Sequence, residues 1–224
     1  MLKSAEGYFY NMVNMEERNV HEAILDRLLL LYLVARTREK GYNILGQIKL
    51  QKLLYKAQER MYLSKCKGLN YNFVRWKFGP FSQEIYSDVE DLKETGFLDR
   101  RVAVNASAKG LRLLKTLGLV FDEETTELID KVINEFGPYT GRQIKAVMYS
   151  FPKVGEKKTI KEAKMGEVLL TKLNEKNAKK RLLLKEQTLD TLRFLFDPLT
   201  HKAIEEGLKA LKTEKCRPFI PVDQ

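Results

Sequence analysis

Few side chains in this sequence have the types and spacing that catalysis or metal binding requires. The chain has two histidines and two cysteines, and they do not lie at the spacings of a metal site: His21, Cys66, His201 and Cys216. No phosphate-binding loop of the G-x-x-x-x-G-K-[ST] type is present. Residues 156–158 and 162–164 match the E-x-K pattern of Mg²⁺-dependent nucleases, but a chain this rich in Glu and Lys is expected to match it by chance. The sequence therefore predicts that the protein is not an enzyme and has no cofactor and no metal.

Carboxylates form a denser pattern on the third predicted helix, residues 81–95. Glu84, Asp88 and Asp91 are spaced at i, i+4 and i+7 and so share one helix face, and Lys93 is the only cation of the helix. A helix that reads the major groove of DNA should be neutral or basic, because phosphates repel carboxylates. The pattern indicates either an ordinary solvated helix face or an exposed surface for a basic partner protein. We predict the second, with these three carboxylates as partner-binding residues.

Positive charge is concentrated in one segment near the C-terminus. The formal net charge is +10, and residues 153–185 carry eleven Lys and Arg against four acids, which is +7 of that total. Such a segment is typical of a solvated helical surface, of non-specific contact with nucleic acid, or of contact with an acidic partner.

Composition indicates a folded protein outside the membrane. The 224 residues are 44% hydrophobic and 31% charged, which is typical of a globular chain. The longest apolar run, residues 28–35, is eight residues long, whereas a membrane span needs about 20. The N-terminus lacks the pattern of a signal peptide, and the widely separated cysteines favour a reducing, cytoplasmic location.

Caps and apolar periodicity locate the helices that would position these residues. Asn19 and Glu22 form a capping box that predicts a helix to about Lys40, ended by Gly41. A second helix is predicted over 47–64, with four cations facing outward: Lys49, Lys52, Lys56 and Arg60. Further predicted elements are an edge strand or the arm of a small hairpin over 97–104, a helix over 108–117, one or two very basic helices between residue 159 and Asp197, and a last helix from 198 to about 212.

A helical hairpin is predicted between the body and the basic segment. Asp122 opens its first helix, to about Phe136, and Gly137 and Pro138 form the turn. Thr140 and Gln143 can cap its second helix, to about Phe151. The second helix would start with Arg142, Gln143 and Lys145, whose side chains can reach base edges or phosphates. This arrangement keeps an alternative function open, a winged-helix or helix-turn-helix regulator that binds DNA, although short helical hairpins are also common as plain packing units.

Two sequence blocks resemble a known family. Residues 49–58, KLQKLLYKAQ, resemble the K-L-Q-K-L-L-Y-x-A-Q signature of the SocA-like Panacea antitoxin domain. Residues 75–81, RWKFGPF, resemble its W-x-Y-G-P-V block, and residues 82–86, SQEIY, are similar to the V-P-E-V-Y that follows. Phe78 stands where the family usually has Tyr, and Phe81-Ser82-Gln83 is nearer to the Y-G-P-Y-S of related predicted winged-helix proteins. The resemblance covers about 25–150 and implies a non-catalytic protein that neutralises a cognate toxin, by direct binding or by presenting it to a protease.

The residues of the two blocks are interpreted as structural rather than as a site. The family-motif residues concerned are Lys49, Gln51, Lys52, Tyr55, Gln58, Trp76, Gly79 and Pro80. The aromatic residues in and around the blocks are predicted to lie in the core, since buried aromatics dominate small cores: Tyr55, Tyr62, Trp76, Phe78, Phe81 and Tyr86.

These observations together predict a mostly α (α+β) fold, a winged-helix-like helical domain with a short β-hairpin, extended by C-terminal helices. The predicted organisation is a loosely ordered segment 1–20, a Panacea or winged-helix-like domain 21–151, and a basic helical extension 152–224. The predicted function is a non-enzymatic antitoxin-like or adaptor protein that binds and neutralises a partner protein, with DNA as the partner in the alternative.

Overall fold

The computed structural model describes residues 15–101, 103–117 and 121–212 of the chain, and there the protein is mostly helical with two small sheets. The described elements are, in chain order, α1 (Val20–Glu39), α2 (Gln47–Leu63), β1 (Cys66–Lys67), β2 (Phe73–Trp76), β3 (Gly79–Phe81), α3 (Gln83–Glu94), α4 (Ala108–Leu117), α5 (Glu123–Phe136), α6 (Gly141–Ser150), β4 (Val168–Leu170), a 3₁₀ turn (Glu175–Asn177), β5 (Lys180–Arg181), α7 (Glu186–Leu195) and α8 (Pro198–Lys212).

Helix α1 lies in the centre of the molecule. The side chain of Asn19 accepts a hydrogen bond from the Glu22 amide while the Glu22 carboxylate accepts one from the Asn19 amide, so the capping box is confirmed. Gly41 follows the helix with φ +83°, as predicted for its end. The leucine run from Leu28 to Leu31 is fully buried because α3, α4, α5 and α7 all pack against α1. A helix that is apolar on every side is stable only in such an interior.

Helix α2 is also enclosed, by α5, α6, β1 and β3. This enclosure corrects the prediction that its cations face outward. Lys49, Lys52 and Lys56 are 4%, 2% and 6% exposed, and Arg60 is half-buried. Alternating apolar and charged residues indicated a helix with one solvated face, but neighbouring elements cover that face as well.

A three-stranded antiparallel sheet in the order β3-β2-β4 lies beside α2. In the β2–β3 hairpin Trp76 pairs with Gly79, so that Lys77 and Phe78 form the turn. Gly79 has φ +92°, a conformation that residues with a side chain rarely adopt. The second sheet is a short parallel pair of β1 with β5.

The order of the elements differs from that of a winged helix, which is therefore not confirmed in detail. The hairpin β2–β3 precedes α3, whereas the predicted strand pair was to follow it. In that later region the structure has isolated bridges, Leu45 with Ala103 and Leu98 with Ala106, in place of strands. Ala103 pairs with a residue far back in the chain, a pairing that the local alternation over 97–104 does not reveal.

Of the one or two very basic helices predicted between residue 159 and Asp197, the structure has only α7, which carries Arg193 against Glu186 and Asp190 and is therefore not basic. The basic segment contains no α-helix among residues 160–185. It forms β4, the 3₁₀ turn and β5 instead. β4 pairs with β2 and β5 pairs with β1, so the segment takes its structure from partners about 100 residues earlier in the chain. The helix predicted from residue 198 is confirmed as α8, with Asp197 accepting a hydrogen bond from the Thr200 amide.

Residues 1–14 of the predicted N-terminal segment lie outside the described part of the chain. Among the residues that are described, no helix is both long and apolar enough to cross a bilayer.

Candidate functional site

The central carboxylate of the acidic face of α3 is buried and the two flanking carboxylates are partly buried, which corrects the prediction of an exposed docking surface. Asp88 is 0% exposed and accepts hydrogen bonds from Arg18 Nη1 at 2.8 Å, Arg27 Nε at 3.0 Å and Tyr71 Oη at 2.9 Å. Two cations from the region of α1 therefore neutralise the carboxylate that was expected to meet a partner.

The two flanking carboxylates of this face are engaged in the same way. Glu84 pairs with Arg18 Nε at 3.0 Å and accepts a hydrogen bond from the Asn72 amide. Asp91 pairs with Arg27. The i, i+4, i+7 spacing placed all three on one face, as predicted, but α3 turns that face towards α1. Arg18 and Arg27 lie more than 60 residues from Asp88 in sequence, so no local pattern pointed to them.

A further carboxylate completes this buried charge cluster. Asp26 shares Arg18 with Asp88 and also accepts hydrogen bonds from the Asn70 backbone amide, at 2.8 Å, and side chain. Complete burial, only partly offset by Arg18 and reinforced by Asp88, raises the pKa of Asp26 to about 8. A cluster of this kind fixes α3 on α1, and its charges are directed at each other rather than at a partner.

The glutamines of the first family block hold the hairpin by its backbone. Gln51 Nε2 donates to the Ser82 carbonyl at 2.8 Å and its Oε1 accepts from the Ser82 amide at 2.9 Å. Gln58 does the same two helical turns later with Tyr71, at 2.6 and 2.8 Å. Tyr71 precedes β2 and Ser82 follows β3, so the two side chains fix both ends of the hairpin on α2.

The lysines and Tyr55 of this block are buried beside the glutamines. Lys49 Nζ donates to the carbonyls of Asn43 and Gly137, and Lys52 Nζ donates to the Pro80 carbonyl at 2.7 Å. Tyr55 is fully buried and its ring packs edge-on against Phe73. Burial raises the pKa of Tyr55. Lys49, Gln51, Lys52 and Gln58 thus hold backbone groups of the hairpin and of neighbouring segments, and Tyr55 packs in the core.

The second family block and the neighbouring Ile48 of α2 form a partly exposed, mostly aromatic surface, which we call the hairpin surface: Ile48, Trp76, Phe78, Phe81 and Tyr86. Ile48, Phe78 and Tyr86 are 37%, 46% and 36% exposed. Trp76 and Phe81 are half-buried, with ring centroids 6.3 Å apart. Tyr86 continues the row, 5.6 Å from Phe81. The prediction that these aromatics lie in the core holds for Tyr55 and is wrong for Phe78 and Tyr86, because the hairpin turn carries Phe78 beyond the body.

A cavity of about 150 Å³ opens on this surface beneath the hairpin turn. The side chains of the hairpin surface line it together with Gln51, Lys52, Lys77 and Gly79, and no carboxylate is among its lining residues. Burial, together with the nearby charges of Arg75 and Lys145, lowers the pKa of Lys52 to about 7. The surface therefore combines exposed aromatic rings with an excess of cations.

The predicted helical hairpin is present as α5 and α6, and the residues proposed to meet DNA lie in the first turns of α6. Arg142 is exposed. Gln143 is engaged in the capping box with Thr140. Lys145 Nζ lies 4.7 Å from the centroid of the Phe78 ring, so it borders the hairpin surface. Of Arg142, Gln143 and Lys145, the structure thus brings Lys145 to the candidate site, and the three residues do not meet there as a set.

Several cations of the basic segment are neutralised by carboxylates of this chain. Lys172 pairs with Glu22 at 2.9 Å, and Lys180 pairs with Asp122 at 2.9 Å. Lys153 and Lys158 pair with Glu167 at 3.0 and 2.8 Å. Lys172 and Lys180 are thus neutralised by acids outside the segment, whereas Glu167 is already counted in the segment's net charge of +7.

Replacing Glu167 with Gln is expected to flatten the acid limb of the stability profile. Burial raises the pKa of Glu167, but hydrogen bonds from Lys158, the Lys164 amide and Lys153 outweigh it and lower the pKa to about 2. A carboxyl pKa below its unfolded value stabilises the fold above about pH 4.3, and this contribution is lost as the pH falls towards 2. Urea midpoints measured from pH 5 to pH 2 should therefore fall less steeply in the variant.

The matched control for this experiment is Glu186→Gln, which changes an exposed carboxylate in the first turn of α7. Its profile should follow that of the unmodified protein. Parallel profiles for Glu167→Gln and the unmodified protein would show that the lysine contacts of Glu167 do not stabilise the fold.

Among the described residues, no group of three or more His, Cys, Asp or Glu side chains is arranged to hold a metal ion. Cys66 is buried against Thr125, with its Sγ 3.7 Å from the threonine hydroxyl.

Comparison with known proteins identifies a domain in this chain. Residues 50–153 match the family model described as "Antitoxin SocA-like, Panacea domain", which confirms the resemblance seen in the two sequence blocks. The matched residues include Gln51 and Gln58, the β2–β3 hairpin and α6. No curated protein and no solved structure matches the chain significantly. The domain supports an antitoxin role in general terms and suggests a non-catalytic one, and it lends no support to the DNA-binding alternative.

Proposed function

We propose, since residues 50–153 form a SocA-like Panacea domain, that this chain is an antitoxin that binds and neutralises a toxin protein through the hairpin surface. The observation that carries the proposal is the exposure of Phe78 and Tyr86 inside the matched domain, on one surface with Ile48, which lies just before the matched residues. Contiguous exposed apolar side chains of this kind mark interaction sites, and aromatic residues supply much of the binding energy in protein interfaces.

The hairpin surface is held in a fixed position, which favours binding. Gln51 and Gln58 fix the ends of the hairpin on α2, and Tyr149 Oη donates to the Lys77 carbonyl at its tip at 2.8 Å. A surface whose supporting contacts are formed before binding loses little conformational entropy when a partner docks.

The charge around the surface specifies the partner. Lys77 and Lys145 border it, Arg75 lies close by over the Tyr149 ring, and no carboxylate lines its cavity. Opposite charge steers association and opposes binding of partners with the same charge. The partner surface we propose is therefore acidic with apolar side chains among the acids, which replaces the basic partner inferred from α3.

Co-expression tests the proposal. The chain is expressed together with the product of each neighbouring reading frame, and growth is scored where that product alone arrests it. The unmodified chain is expected to relieve the arrest by one such product. Phe78→Ser and Tyr86→Ser should each weaken binding of that product by about 10-fold or more, equivalent to about 1.4 kcal/mol.

Phe194→Ser is the matched control, because Phe194 is an exposed aromatic on α7, outside the matched domain. It should leave both rescue and affinity unchanged. The proposal is wrong if no neighbouring product is neutralised, and the hairpin surface is not the binding site if Phe78→Ser and Tyr86→Ser neutralise as well as Phe194→Ser does.

A further inference from the structure

The ammonium group of Lys52 lies in the wall of the cavity beneath the hairpin turn and is poorly compensated. Lys52 is 2% exposed, and its Nζ donates one hydrogen bond, to the Pro80 carbonyl. An ammonium group has three donors. In the described part of the chain no carboxylate lies within ion-pairing distance of it.

The other buried cations of the protein are better satisfied. Lys67 and Lys172 share Glu22, and Arg18 pairs with Asp26 and Asp88. Lys49 has no carboxylate but donates to two carbonyls. Burying a charge is costly unless it is paired. Lys52 is therefore a buried cation that a further acceptor would stabilise, and the cavity is the space from which one can arrive.

We propose that this cavity binds the carboxylate side chain of a Glu or Asp on the partner protein, with the Lys52 ammonium as its counter-charge and the rings of Trp76, Phe81 and Tyr86 around its aliphatic stem. A cavity of about 150 Å³ has room for a single side chain. This inference rests on the proposed function and specifies the chemistry of the toxin surface that docks there.

The groups around Lys52 determine how binding depends on pH. Arg75 on β2 and Lys145 on α6 are the charges that lower its pKa after burial, and Lys49 and Lys56 lie on its own helix. Lys77 and the hydroxyl-bearing rings of Tyr86 and Tyr149 are the remaining titratable groups near the cavity. Protonated Lys52 attracts an anion and neutral Lys52 does not, so carboxylate affinity should be highest below pH 7 and fall as the pH rises.

Binding in the cavity can be followed by tryptophan fluorescence, because Trp76 lines the cavity and is the only tryptophan of the chain. The full chain is titrated with three acetylated peptides while Trp76 emission is recorded: acetyl-Phe-Glu-Phe-amide, its Gln counterpart, and acetyl-Phe-Gly with a free terminal carboxylate. The Glu peptide is expected to give a saturable change at pH 6, at least 10-fold tighter than the Gln peptide and several-fold weaker at pH 9.

Lys52→Met should abolish the preference for Glu over Gln, and Lys145→Gln should reduce it. The peptide pair and the pH series need no variant, so they remain informative if Lys52→Met does not fold. Equal binding of the Glu and Gln peptides, or no saturable change, overturns the inference. Tighter binding of acetyl-Phe-Gly overturns the side-chain assignment in favour of a chain-terminal carboxylate.

These outcomes are separable from those of the co-expression experiment. If the Glu and Gln peptides bind equally while Phe78→Ser abolishes neutralisation, the cavity inference is wrong and the proposed function stands. If the Glu peptide is selected while Phe78→Ser neutralises normally, the cavity binds carboxylates and the proposed function of the hairpin surface is wrong.

Discussion

Asp88→Asn should lower the free energy of unfolding by about 3–5 kcal/mol, because it removes the buried charge on which two arginines converge. Asp88 accepts hydrogen bonds from Arg18, Arg27 and Tyr71 and has no exposed surface. Asparagine keeps the shape but leaves Arg27 with the Asp91 carboxylate and the Phe196 carbonyl, and Arg18 with Asp26 and Glu84. The urea midpoint of the full chain, followed by circular dichroism, measures the loss.

Glu90→Gln is the control, since Glu90 lies on the same helix in an exposed pair with Lys93. Surface pairs of this type contribute about 0–1 kcal/mol, so its midpoint should barely move. Asp91→Asn should fall between the two, because Asp91 is partly exposed and pairs with Arg27. If Asp88→Asn unfolds like Glu90→Gln, the carboxylate face of α3 does not stabilise the protein and the buried cluster has no energetic role.

This comparison also separates the two interpretations of the acidic pattern on α3. An exposed partner-binding face predicts that Glu84, Asp88 and Asp91 can be neutralised with little effect on stability. The structure predicts a large effect that is specific to Asp88. Helical periodicity shows which residues share a face, but it carries no information on whether that face meets solvent or the cations of a distant segment.

Features that depend on neighbouring residues could be predicted from the sequence. The capping boxes at Asn19 and Thr140 and the cap at Asp122 lie where their side chains indicated. Each is a hydrogen bond between residues about three positions apart, so side-chain chemistry alone decides it. The helices α1, α2, α4, α5, α6 and α8 follow from such signals combined with apolar periodicity.

Features that depend on distant residues could not be predicted. β4 forms because β2 lies beside it, and the charges of residues 153–185 did not distinguish this strand from a helix. The lysines of α2 resembled a solvated face because the elements that cover them come later in the chain. The exposed aromatics of the hairpin surface were missed for the same reason, since aromatic residue types alone favour the core.

The spacing of two glutamines is a signal that could have indicated the buried polar face of α2. Gln51 and Gln58 are seven residues apart, two helical turns, and so lie on the same side of the helix. A glutamine can pair with both the amide and the carbonyl of one backbone residue, and both glutamines do so here. The glutamines of the family block thus supply hydrogen-bond partners for the backbone groups of Tyr71 and Ser82, at the two ends of the hairpin.

The last prediction follows from this arrangement. Gln58→Leu should lower the free energy of unfolding by about 2–4 kcal/mol, since it leaves the buried amide and carbonyl of Tyr71 without these partners. Gln51→Leu should have a similar effect through Ser82. Because Gln51 and Gln58 fix the two ends of one hairpin, the double variant is expected to lose less unfolding free energy than the sum of the two single variants. A double-mutant cycle of urea midpoints measures this difference.

Gln47→Leu on the same helix is the matched control. It separates the loss of the backbone hydrogen bonds from the effect of replacing any glutamine on α2. The Oε1 atom of Gln47 is buried and has no hydrogen-bond partner among the described residues. Replacing an unsatisfied polar atom with an apolar group removes a desolvation cost, so this variant should be neutral or slightly more stable. If Gln47→Leu lowers the free energy of unfolding as much as Gln58→Leu does, the hydrogen bonds from Gln58 to the Tyr71 backbone do not stabilise the protein, and α2 holds the hairpin through apolar packing alone.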